Sequence, residues 1–295
     1  MKKFITFFSL LIFIGCGSLD IISETSENLP DVKPEVEIKT DEKAEEKLEK
    51  LSKTYEITKD EILFYSEDQK VIKRIDFIKR FEEEYSDKGV IFSTKPLPAS
   101  YEKIIKNNTQ IQRVINSFGK NGLMKSSNVY LYGYLDNTIL YEYDSLMRLS
   151  SERYIDPRGE LYIKKTYKYI NNYRMARKKI FDAKGAFLEE EIFSYAGGAL
   201  SKITSLSGDG KILSTRNFIY DQNGNLKEEI FITEKINTKL VYIKDNLGRI
   251  DRVSEYSSRK YRGYYKFIYD SKGRVTEKRF YTLDKSVVSK EVYKY

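Results

Sequence analysis

The sequence predicts a mainly β protein: an antiparallel meander of repeated hairpins forming an elongated, coiled sheet, with a closed barrel as the alternative and a short helical N-terminal part. Three observations predict it. A pattern of Asp, two residues and Gly recurs, intact or degenerate, at steps of 11 to 14 residues between Tyr143 and Tyr220. Between these turns lie runs of seven to nine residues such as Leu161-Tyr162-Ile163-Lys164-Lys165-Thr166-Tyr167-Lys168-Tyr169, the length and residue type of one strand. The 25 Tyr and 16 Phe supply large groups to bury, which excludes disorder along the whole chain.

Composition narrows function before any motif is sought. The 295 residues contain no His, no Trp and one Cys. His is the commonest proton-transfer group near neutral pH and a common metal ligand, so most catalytic and metal chemistry is unsupported. A disulfide within the chain is impossible. The expectation is a protein that is not an enzyme and carries no cofactor or metal.

Residues 1–15 read as a signal peptide: Lys2 and Lys3 precede an apolar run, Phe4 to Ile14, too short at 11 residues to span a bilayer as a helix. Phe13-Ile14-Gly15-Cys16 resembles the lipobox of bacterial lipoproteins, in which cleavage follows the small residue, here Gly15, and the Cys, here Cys16, is acylated. The resemblance implies a membrane partner through an N-terminal lipid anchor with palmitate-type chains. Gly17, in place of an acidic residue, implies sorting to the outer membrane, facing either the periplasm or the exterior.

Residues 16–60 form an acidic tether. From Gly17 to Asp60 there are 13 acidic and 7 basic residues, with Pro30 and Pro34 and few large apolar groups. A short helix follows in it, with Asp41 as cap and Ala44, Leu48 and Leu51 on one face. Residues 61–295 hold 43 basic and 31 acidic groups, so an acidic stalk precedes a basic head.

Residues 61–129 read as N-terminal strands and a capping helix. Tyr65 to Val71 and Tyr85 to Val90 echo the turn pattern, and Val71, Ile75, Phe77, Phe81 and Tyr85 between them alternate as a strand, although Ile75, Ile78, Phe81 and Tyr85 also fit a helical stripe. After Pro96 and Pro98, Ser100 is a helix cap ahead of Ile104, Ile111, Ile115 and Phe118 on one face, with Gly119 and Gly122 as the stop. Such a helix would cover the open edge of the sheet.

Residues 130–295 are the repeat array. The clean turns are Asp221 with Gly224 and Asp270 with Gly273; near copies are Asp156 with Gly159 and Asp182 with Gly185. In each, Asp bonds backbone two residues on and Gly supplies positive φ. The array amounts to about 12 to 13 strands, beyond the roughly 10 at which open sheets curl or close. Tyr and Lys on both faces favour a coiled strip over a compact sandwich. Tyr269-Asp270-Ser271-Lys272-Gly273-Arg274-Val275 and its weaker copies resemble the YD repeats of bacterial Rhs-type proteins, over about half the chain. The resemblance implies a β-strip and an envelope or surface setting, not a toxin.

The remaining chemical candidates weigh less. Glu189-Glu190-Glu191 and Glu228-Glu229 would serve a carboxylate hydrolase, but neighbours in a strand face opposite ways. Asp221-Gln222-Asn223-Gly224-Asn225 is similar to the opening of a calcium loop and lacks the distal Glu. Gly208-Asp209-Gly210-Lys211 lacks phosphate-loop spacing. The strongest surface candidate is Arg259, Lys260, Tyr261, Arg262, Tyr264, Tyr265 and Lys266, where cations interleave with aromatics. On an exported protein this suits anionic glycans or envelope proteins rather than nucleic acid. The expectation is therefore a lipid-anchored envelope scaffold, with an anionic-glycan binding module as first alternative and the hydrolase as second.

Overall fold

A computed structural model describes residues 55–295, apart from 67, 87, 106–108, 171–172 and the side chain of Phe92. They belong to one compact unit, Glu49–Tyr295. Gly15, Cys16 and the expected tether helix lie outside the described residues.

Strands are the only regular elements among the described residues. A small antiparallel sheet comes first: β1 (Tyr55–Ile57), β2 (Glu61–Tyr65), β3 (Val71–Asp76), β4 (Phe81–Tyr85) and β5 (Ile91–Pro96), neighbours in chain order. Then follow β6 (Ser100–Ile105), β7 (Thr109–Phe118), β8 (Met124–Leu131), β9 (Tyr134–Tyr143), β10 (Leu149–Ile155), β11 (Leu161–Ile170), β12 (Arg174–Asp182) and β13 (Phe187–Ala196). The last eight are β14 (Ala199–Ser207), β15 (Ile212–Tyr220), β16 (Leu226–Thr233), β17 (Asn237–Lys244), β18 (Ile250–Ser257), β19 (Lys260–Tyr269), β20 (Val275–Tyr281) and β21 (Val287–Lys294).

The strands β6 to β21 close into a barrel. The seam is β21 against β6, with Tyr293 opposite Tyr101 and Glu291 opposite Lys103. This corrects the favoured open coil in favour of its alternative. An open strip would leave two rows of unbonded backbone groups, and closure satisfies both. From Tyr134 on, β9 to β21 are 13 strands, within the expected range.

The capping helix is also corrected. Ile104, Ile111, Ile115 and Phe118 share a helical stripe in sequence, yet they lie in β6 and β7. Val114 sits between Tyr101 and Val129 in the ladder, and all three are buried. Gln112, Val114, Asn116 and Phe118 follow the period of two, so packing across the barrel overrides the stripe. Residues 100–129 therefore belong to the barrel, which leaves no open edge for a helix to cover.

Each turn follows from its Asp and Gly. At Asp156, the side-chain carboxylate accepts the N–H groups of Arg158 and Glu160, both at 2.9 Å, while Gly159 adopts φ +90° and donates to the Asp156 carbonyl. Asp182 with Gly185, Asp221 with Gly224 and Asp270 with Gly273 repeat the arrangement. The hairpin register shifts beside each such turn, the signature of a tight turn closed by a glycine bulge. At Gly273, φ is +78° and a Cβ would meet no atom within 4 Å. Gly273→Val is expected to cost about 1 kcal/mol, from backbone strain alone. A denaturant melt matching the parent protein would contradict the turn geometry.

A second regularity spans two strands. The hydroxyls of Tyr143, Tyr169, Tyr195, Tyr220, Tyr269 and Tyr295 donate to the carbonyls of Met124, Leu149, Met175, Leu200, Ile250 and Val275, at 2.7–2.9 Å. Each Tyr lies at or within one residue of the end of a strand, and its acceptor lies in the first two residues of the strand before it. Arg148, Arg249 and Arg274 lie over the rings of Tyr169, Tyr269 and Tyr295, at 4.4–4.9 Å. Tyr and Arg of successive hairpins thus tie one end of the barrel together.

The barrel interior is polar and paired. Lys165 is buried and donates to the Tyr154 hydroxyl at 2.7 Å. Lys178 meets Glu191 at 2.7 Å, and Lys278 meets Glu291 at 3.3 Å. Glu229 accepts from Tyr242 at 2.9 Å and pairs with Arg216 at 3.3 Å. Buried charge is tolerated only with such partners.

The small sheet packs against the barrel end that carries the Tyr ladder. Ile62, Phe64, Ile72, Ile75, Leu97 and Leu123 form the joint core, with Phe118, Met147 and Tyr173 packed on it. The rings of Phe64 and Tyr173 lie 3.8 Å apart. Gly122 makes the approach possible: a Cβ there would sit 2.3 Å from the Phe77 ring.

Candidate functional site

Two places gather chemistry. The first is on the outer wall, where register assembles what lies apart in sequence. Arg252 stands opposite Lys266, Lys266 opposite Arg279, and Arg279 opposite Lys290, a row of cations across β18 to β21. One step along, Tyr264 and Tyr281 stack with centroids 4.9 Å apart and planes 7° from parallel. Arg252 lies 5.5 Å over the Tyr264 ring, and its buried Nε finds no hydrogen-bond partner.

The sequence-selected patch divides between the two sides of this wall. Arg262, Tyr264 and Lys266 alternate with Gly263 and Tyr265 along β19. Tyr265 packs against Phe280 at 4.8 Å and lies beneath Lys278, and burial pushes its hydroxyl well above the usual range. It therefore faces the barrel interior. Arg259, at φ +68°, is exposed in the turn before β19, and Lys260 is exposed as the first residue of β19. Tyr261 packs on Tyr256 at 5.2 Å. Lys266 is also engaged by Asp251, and Arg279 by Glu277 at 2.6 Å. Arg252, Arg279, Lys290 and Tyr281 were missed because only cross-strand register brings them beside Lys266.

The outer wall is charged elsewhere as well. Arg153 pairs with Glu142 at 3.3 Å, Arg177 with Glu190 at 3.1 Å and Lys239 with Glu228 at 2.9 Å, between neighbouring strands. A lipid-facing wall carries an apolar band roughly 25 Å tall in place of such pairs. The acidic candidates separate in the same geometry. Glu228 faces out toward Lys239, while Glu229 faces in toward Arg216, so the two share no substrate position.

The second place is a cavity of about 160 Å³ between the small sheet and the barrel mouth. Its floor is one face of the small sheet. Lys73 stands opposite Glu84, and Glu82 stands between Ile75 and Lys95. Tyr143, Tyr169, Tyr173, Tyr195, Glu152 and Arg174 face this floor from the barrel. Burial raises the hydroxyls of Tyr143, Tyr169 and Tyr195 far above their ordinary value. The two floor carboxylates diverge. Burial pushes Glu82 up, but Lys73, at 2.8 Å, and Lys95 outweigh it and hold the group below its ordinary value. Burial pushes Glu84 up as well, Glu82 adds to the effect, and the net shift is upward.

Opposite pH dependences follow. Glu82 stabilises the fold above its unfolded value and loses that contribution as pH falls through its depressed folded value. Glu82→Gln is therefore expected to lower stability at neutral pH, with the deficit fading in acid. Glu84 burdens the fold once pH rises past its raised folded value, and the burden vanishes below the unfolded value. Glu84→Gln is expected to raise stability at neutral pH and to match the parent in acid. Denaturant melts across this range check both, and shifts of the same sign would contradict the charge assignment.

No family model matches the chain, and no curated protein does. Among solved structures it is similar to a porin-like protein from Bacteroides uniformis, at 15% identity and a TM-score of 0.46, covering 66% of this chain and 95% of that one. A porin-like protein from Bacteroides vulgatus gives 9% identity and a TM-score of 0.34, with 67% and 98% covered. The TcdB2-TccC3 structure gives 12% identity and a TM-score of 0.27, with 80% of this chain matched to 16% of that one. This chain thus spans about a sixth of that protein's length. These scores are too low to carry function from those proteins to this chain.

Proposed function

We propose that this chain is an exported, lipid-anchored protein of the cell envelope that acts by binding rather than catalysis. Cys16 holds it to the membrane, and its barrel stands in water as a scaffold for an anionic envelope component. The observation that carries this reading is the cation row Arg252, Lys266, Arg279 and Lys290 beside the stacked Tyr264 and Tyr281. Cations aligned at strand spacing match a chain of repeated negative charge, and flat rings beside them suit sugar faces. The ion pairs on the outer wall support water rather than lipid around the barrel.

The test uses the mature chain on an immobilised sulfated dextran and on an uncharged dextran. Retention on the sulfated resin alone, weakening with salt, is expected, and Lys266→Glu with Arg279→Glu should reduce it at least tenfold. Unchanged retention by the double variant would contradict the assigned face. For the anchor, Cys16→Ala is expected to abolish fatty-acid labelling and to release the protein from membranes. Unaltered membrane partitioning would contradict it.

A further inference from the structure

We propose that the barrel-mouth cavity is a binding site for a small zwitterion carrying an ammonium and a carboxylate, such as a free amino acid. This goes beyond the surface reading and does not depend on it. The cavity is of a size to admit a compact organic molecule, since an engineered cavity of about 150 Å³ takes up benzene. At about 160 Å³ this one is as large, and it is edged with charge rather than wholly apolar.

The floor determines what it takes. Lys73 and Glu82 satisfy each other at 2.8 Å. Glu84 and Lys95 remain. Among the described residues neither makes a hydrogen bond or an ion pair within 4.0 Å, although the Lys95 charge acts on both Glu82 and Glu84, and those of Lys73 and Arg174 on Glu84. Both side chains line the cavity from the same face of adjacent strands, one register step apart along the strand direction. Diagonal neighbours of this kind stand about 7 to 8 Å apart at the backbone, a gap that a ligand carrying both charges can bridge. A half-buried carboxylate without a direct donor is partly stripped of water, and an ammonium on the ligand offsets that cost. The ligand carboxylate meets Lys95 in the same way. Met124, Met147 and Met175 line the wall beyond the floor, flexible and apolar, and fit an aliphatic side chain. A cation alone would give Lys95 no direct partner, and an anion alone would give Glu84 none.

Calorimetric titration of the mature chain tests this with four probes: L-leucine, L-leucinamide, N-acetyl-L-leucine and glucose. L-leucine is expected to bind, with each singly charged analogue at least tenfold weaker and glucose without effect. Glu84→Gln and Lys95→Met should each weaken L-leucine at least tenfold while the thermal transition stays cooperative. Should Glu84→Gln fail to fold, Lys95→Met decides alone. Equal binding of L-leucine and glucose would overturn the proposal in favour of a polyol site. No heat from L-leucine at millimolar concentration would overturn it in favour of a packing void. Loss of sulfated-dextran binding without loss of L-leucine binding would sink the surface reading alone.

Discussion

Gly263→Ala is expected to destabilise the protein by about 3 kcal/mol or more, the largest effect of any single methyl group in the barrel. Gly263 lies on β19 with φ +147°, a conformation side chains rarely adopt. A Cβ there would stand 2.0 Å from the backbone carbonyl oxygen of Tyr281 and 3.1 Å from the Phe280 ring. The obstacle is mainly backbone. Tyr281 is held in the ladder opposite Tyr264, so relief requires the β19–β20 pairing to part. Gly273, with open space around it, provides the comparison at about 1 kcal/mol or less for Ala. Chemical denaturation of both variants checks the contrast. Equal, small losses would contradict the close approach of β19 and β20.

Glu229→Leu is expected to cost about 3 kcal/mol, because it strips partners from two groups at once. Glu229 is 4% exposed, and its carboxylate accepts the Tyr242 hydroxyl and pairs with Arg216. Without it, Tyr242 keeps a hydroxyl in a buried site and Arg216 keeps an uncompensated charge. Adding Arg216→Met to Glu229→Leu should recover part of the loss, since replacing both partners removes the stranded charge. Strictly additive losses would show that the pair is not coupled.

The turns and strands were legible in the sequence because they rest on local chemistry. Asp156, Asp182, Asp221 and Asp270 cap their own turns through backbone two and four residues ahead, so the sequence alone carries that information. Closure was not legible in the same way. The seam joins Tyr101 to Tyr293, and nothing near either residue specifies the other. The helical stripe ending at Phe118 misled for the same reason: its alternation gains meaning only once Val114 has neighbours on both sides. A missed signal was present nonetheless. Tyr143, Tyr169, Tyr195 and Tyr220 recur every 25 or 26 residues, twice the strand-to-strand step, and mark the end of the barrel where the small sheet docks. The surface patch was half legible, since residues 259–266 supplied some of its cations while Arg252, Arg279 and Lys290 arrived by register.

Closure of the sheet is most directly tested by a disulfide across the seam. Glu102 and Val292 stand opposite each other on β6 and β21. Opposed strand residues lie within the reach of a disulfide. With Cys16 replaced by Ser, the Glu102→Cys, Val292→Cys protein should oxidise nearly completely to an internal disulfide, seen as a faster-migrating band on a non-reducing denaturing gel. Thiols that remain free, or that join only between molecules, would show that the two ends of the strip never meet.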